Sequence, residues 1–113
     1  MSQQSARTPD KLAPNEFRVA DLAPGQSMEV DVDDEGVAVF NVDGTFYATQ
    51  NACTHAEGPL SEGTFSGVTV ICPWHDSCFD VTTGAATCKP ATEPLKLYRV
   101  IIDGEIGRVV QPV

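Results

Sequence analysis

MEVDVDDEGVAVFNVDGTFYATQ, residues 28–50, holds three short apolar runs, 28–32, 37–42 and 45–50, with turn-forming residues between them. Asp43-Gly44 sits between the last two, where a glycine accepts a positive φ and a tight hairpin can close. Outward from this stretch the same texture continues. Strand-like runs are expected at 17–20, 68–71, 78–81, 95–102 and 108–110, and Asp103-Gly104 offers a second hairpin turn. No segment carries a sustained helical period, repeat or low-complexity tract. Many short strands with regular turns predict an all-β fold, an antiparallel sandwich or barrel. The pattern fades over 51–65 and 82–94, which read as loops, and residues 1–14 read as a polar, proline-containing lead-in to one domain spanning 15–113.

A chain of 113 residues with 42% hydrophobic content suits one small globular domain, and no apolar run is long enough to cross a bilayer as a helix. The first sixteen residues contain neither an apolar signal core nor a twin-arginine pair, so a soluble, cytoplasmic protein is expected. Seven basic residues stand against sixteen acidic ones, a formal charge of -9. That balance argues against nucleic acid and anionic membranes as partners. The whole stretch from 19 to 87 contains no Lys or Arg, while eleven Asp and Glu fall within it. Such a surface favours solubility, and it also suits a partner protein with a basic face.

The chemistry is concentrated at two strand ends, in the loop 51–65 and just after the run 68–71. Cys53-Thr54-His55 is followed, after sixteen intervening residues, by Cys72-Pro73-Trp74-His75. These are the chain's two histidines, and each stands beside a cysteine. A random scatter would rarely mirror itself in this way, so metal binding is the working premise. Thiolates with imidazoles suit zinc or an iron-sulfur cluster, and ligand type alone leaves both open. Spacing is more informative, because each loop supplies one thiolate and one imidazole. A cluster with one two-cysteine iron and one two-histidine iron requires that division when the loops lie side by side.

The segments CTHAEGPLSEG and CPWHDSCFDVTTG resemble the signature of Rieske ferredoxins, and the likeness extends roughly from Phe17 to Val110. The resemblance implies a Rieske-like β-sandwich or barrel with a small cluster-binding subdomain of loops, carrying one 2Fe-2S cluster per chain. Cys53 and Cys72 would hold one iron through sulfur, and His55 and His75 the other through ring nitrogen. Gly58-Pro59 and Pro73 would shape the cluster loops, and Pro90 would belong to a third loop covering the cluster. Ser77 matches a position whose hydroxyl can bond a cluster sulfur, whereas Phe79 stands where high-potential members carry Tyr. Trp74 would cap the cluster, pack in the core or face a partner. Asp76 departs from the common glycine after the second histidine.

High-potential members carry a disulfide between the two loops at positions corresponding to Gly58 and Trp74, so that bridge cannot form here. Cys78 and Cys88 flank a hairpin around 82–84. In a cytoplasmic protein free thiols are the expected state, although hairpin partners can lie within bonding distance. The function implied is that of an electron carrier, with no catalysis of its own, between a flavin-dependent reductase and an aromatic-ring-hydroxylating Rieske-type oxygenase. An oxygenase would need two further histidines and a carboxylate for its mononuclear iron, and both histidines are already committed. The other readings are a small Rieske-like subunit of an assimilatory nitrite reductase and a zinc-stabilised interaction module.

Overall fold

The computed structural model describes residues 12–54, 58–74 and 76–111. Among these there is no α-helix, and the chain forms ten antiparallel strands in two sheets. The larger sheet contains β1 (Glu16–Arg18), β2 (Ser27–Val32), β3 (Glu35–Val42), β4 (Thr45–Gln50), β9 (Leu97–Asp103) and β10 (Ile106–Val110), in the order β1-β10-β9-β4-β3-β2. Its two edges approach each other. The backbone N–H of Asp31 in β2 donates to the carbonyl of Pro14, just ahead of β1, at 3.0 Å. The sheet is thereby a nearly closed barrel, which leaves little free edge.

The smaller sheet is β5 (Thr64–Ser66), β6 (Thr69–Ile71), β7 (Cys78–Asp80) and β8 (Ala86–Cys88), each three residues long. β8 falls within a segment expected to be a loop, and β5 starts in another and ends one residue beyond it. A three-residue strand contributes too little alternation to be read locally, and it forms because its neighbours offer backbone partners. The expected run at 17–20 is likewise cut short, since Val19–Asp21 turns into a 3-10 helix after β1. At the Asp43-Gly44 hairpin the expectation holds. Both residues have positive φ, 51° and 96°, as a twist-matched two-residue turn demands.

β3 explains how two small sheets share one molecule. Val37 and Val39 face the barrel core with Phe17, Leu22, Val30, Ala48 and Val109, while Ala38 and Phe40 face a second core with Leu60, Val70, Phe79, Val81 and Leu95. Both faces of the strand are buried, which is why 37–40 is an unbroken apolar run. Its one buried amide is satisfied. Asn41 donates to the Leu22 carbonyl at 2.8 Å and accepts from the Gly44 N–H at 2.7 Å.

Candidate metal centre

The second core ends against two loops that carry the motif cysteines. The first loop leaves β4 at Gln50 and is closed at its base by Asn51. The backbone N–H of Asn51 donates to the Gly36 carbonyl at 3.0 Å, its carbonyl accepts from Leu60 N–H at 2.7 Å, and its side-chain oxygen accepts from Ser61 N–H at 2.7 Å. Inside that clasp Cys53 N–H donates to the Gly58 carbonyl at 3.0 Å. The second loop starts immediately after β6. Cys72 N–H donates to the Ser77 carbonyl at 2.8 Å, and Asp76 N–H returns to the Cys72 carbonyl at 3.2 Å. The turn requires a positive φ of 61° at Asp76. Aspartate is among the few non-glycine residues that adopt this region readily, which accounts for its presence where the resemblance expects glycine.

Cys53 and Cys72 are 1% and 0% exposed, belong to the same buried cluster and take part in no disulfide. The two loops touch at Gly58. A Cβ built there would lie 2.8 Å from Cys72 Sγ and 3.0 Å from Trp74 Cγ, so only a glycine lets the loops approach so closely. Positions 58 and 74 therefore do face each other across the loops. Trp74 itself is 59% exposed and Pro73 is exposed, which places the indole at the surface over Gly58 rather than in the core.

A third segment, 89–96, braces both loops. The Thr54 hydroxyl donates to the Glu93 carbonyl at 2.9 Å, and Ala91 N–H donates to Ser77 Oγ at 3.0 Å. Ser77 is fully buried, and among the described residues no acceptor takes its hydroxyl hydrogen. His55 and His75 lie outside the described residues, as do Ala56 and Glu57. Asn51 and Thr54 were not singled out by sequence reasoning. Their one legible signal is position, at a strand end and between the two motif residues, and their partners are remote in sequence.

Cys78 and Cys88 are joined by a disulfide, contrary to the expectation of free thiols. The reason is register. The two residues are directly paired across β7 and β8, with Cα atoms 4.8 Å apart. Phe79, next to Cys78, is fully buried and brings no hydroxyl to the site.

Two buried thiols in one core cluster, carried on separate loops that touch at Gly58, and a buried hydroxyl with a hydrogen to donate suit a thiolate-bound metal cluster. Thiolates held in an apolar core are tolerable only when a cation compensates them. The chain matches the Rieske [2Fe-2S] domain over residues 15–99. It is 46% identical over 87 residues to the biphenyl dioxygenase ferredoxin subunit of Pseudomonas sp. strain KKS102, covering 76% of this chain and 80% of that one. It is similar in structure to the ferredoxin of carbazole 1,9a-dioxygenase from Nocardioides aromaticivorans IC177, with a TM-score of 0.82, 35% identity, and coverage of 87% of this chain and 96% of that one. The ferredoxin in a complex of reduced oxygenase and oxidized ferredoxin of carbazole 1,9a-dioxygenase matches with a TM-score of 0.78 and 34% identity, over 86% and 94% of the two chains. Sheet order, paired loops and sequence thus agree, and the chain belongs to the Rieske [2Fe-2S] family.

Proposed function

We propose that this protein is a one-electron carrier that takes electrons from a flavin-dependent reductase and delivers them to a terminal aromatic-ring-hydroxylating oxygenase in the cytoplasm. The observation that carries the reading is that Cys53 and Cys72, both buried in one core cluster, lie on two loops that touch at Gly58. One 2Fe-2S cluster per chain is held by Cys53 and Cys72 on one iron and by His55 and His75 on the other, within a domain spanning 15–113 behind a lead-in of 1–14. Relatives named as dioxygenase ferredoxin components support this reading, as does a solved complex of such a ferredoxin with its oxygenase. In keeping with it, no described helix is long and apolar enough to cross a membrane.

When bound, the cluster supplies a site that accepts and releases one electron. The chain's residues do the rest. Leu60, Phe79 and Leu95 keep water from the cysteine side, and the buried Ser77 hydroxyl, whose oxygen accepts from Ala91 N–H, keeps its hydrogen free to stabilise added negative charge. Pro73 and Trp74 present a small apolar surface at the end of the second loop, where a partner can approach.

His55→Cys and His75→Cys test the ligand set. Each is expected to retain the far-ultraviolet signature of the β fold and to lose the mixed-ligand visible and paramagnetic spectrum. An unchanged spectrum in either variant overturns the assignment. A colourless wild-type protein containing zinc in place of iron and sulfide overturns the carrier reading altogether.

A further inference from the structure

The Cys78–Cys88 disulfide lies outside the proposed ligand set, yet it is built into the cluster loops. Cys78 directly follows Ser77, whose carbonyl holds Cys72 N–H and whose Oγ holds Ala91 N–H. Cys88 directly precedes the segment that delivers Ala91. The disulfide and one buried hydrogen bond therefore reinforce the β7–β8 pairing in tying residues 77–78 to 88–91. The two ends differ in access, since Cys78 is half-buried and Cys88, at the end of the edge strand β8, is exposed. An exposed disulfide on an edge strand is open to exchange, and in a reducing compartment such bonds are commonly transient and redox-sensing.

We propose that Cys78–Cys88 is a thiol–disulfide exchange site for an external protein dithiol, and that its redox state sets how firmly the third segment holds Ser77. This rests on the carrier function and cytoplasmic setting proposed above. A thiolate of the dithiol attacks Cys88 Sγ, the Cys78–Cys88 bond breaks, and Cys78 leaves as a thiolate that takes up a proton. The second thiol of the partner, deprotonated, attacks the partner's own sulfur in the mixed disulfide. Cys88 is released and protonated, and the dithiol departs as a disulfide, so two electrons and two protons pass to this chain. Without the cross-link, residues 88–91 are held beside 77–78 by the β7–β8 pairing, the packing of Ala91 in the second core and the Ala91–Ser77 hydrogen bond alone, so that bond opens more often and the Ser77 hydroxyl is less firmly oriented.

The test uses the intact, cluster-loaded protein with a thioredoxin-type dithiol under anaerobic conditions. Alkylation after denaturation should count two more thiols per chain than in the untreated protein. Amide exchange at Ala91 should quicken by about tenfold, and the midpoint potential should fall as the Ser77 donor is held less firmly. A Cys78→Ser/Cys88→Ser variant should show the faster exchange with or without dithiol. No gain in thiols under excess dithiol, unchanged Ala91 exchange or identical potentials would each overturn the proposal. Iron and acid-labile sulfide measured on untreated protein report separately on the cluster, so the failure of one reading is distinguishable from that of the other.

Discussion

At Gly58 the requirement is space rather than backbone freedom. A methyl group there would stand 2.8 Å from Cys72 Sγ and 3.0 to 3.1 Å from two ring atoms of Trp74, closer than van der Waals contact allows. Trp74 can swing outward because it is exposed, but the Cys72 sulfur is fully buried and cannot. Gly58→Ala should therefore push the two loops apart, lowering stability by about 1–3 kcal/mol and reducing the iron retained per chain. Thermal unfolding and iron analysis on the same preparation check both effects. An unaltered melting temperature with full iron content would mean that the loops do not pack as described.

Among the elements, the β7–β8 hairpin carries the cluster loop on one side and the exchange site on the other. Its turn is organised by Asp80, whose Oδ1 accepts from Thr82 N–H at 2.8 Å and from the Thr82 hydroxyl at 2.6 Å, while its carbonyl accepts from Gly84 N–H at 2.7 Å. The Thr82 hydroxyl, more than any other group, holds the Asp80 carboxyl below its ordinary value of 3.8. A carboxylate with a lowered pKa stabilises the fold above its unfolded value, and that contribution is lost as the pH falls through the folded value. Asp80→Asn should thus lose less than about 1 kcal/mol at neutral pH, because the site is open to solvent. The difference between variant and wild type should shrink below about pH 4. Denaturant unfolding at neutral and acid pH measures it, and a difference that grows on acidification would contradict the role given to the carboxylate.

On the scale of the whole molecule the charge is one-sided. Among the described residues three cations have an acidic partner, Arg108 with the buried Glu16 at 3.6 Å, Lys96 with Glu35 at 3.8 Å and over the Tyr98 ring, and Arg18 with Asp21 at 3.9 Å. The stretch without any basic residue, 19–87, includes both cluster loops and the exposed Trp74. A carrier with this surface should be steered toward a positively charged partner face, and screening over a Debye length of about 8 Å at physiological ionic strength should weaken the steering. The second-order rate of electron transfer to the oxygenase is expected to fall along a salt series. A rate that is flat or rises with salt would shift the explanation to apolar contact at Pro73 and Trp74.

The amino-acid sequence by itself determined the all-β class, the hairpin at Asp43-Gly44 and the Rieske signature carried by Cys53-Thr54-His55 and Cys72-Pro73-Trp74-His75. Each is written in the order of residues along the chain, as side-chain period, turn chemistry or the spacing within each motif. Tertiary structure decided what depends on partners remote in the chain. β5 and β8 exist because β6 and β7 offer them backbone groups, and Cys78 meets Cys88 because strand register opposes them. The loops take their places through Asn51, through Thr54 reaching Glu93 across 39 residues and through Ala91 reaching Ser77 across 14. Hydrogen bonds of that span leave no period in the sequence, since their geometry exists only once the two cores have packed on either side of β3.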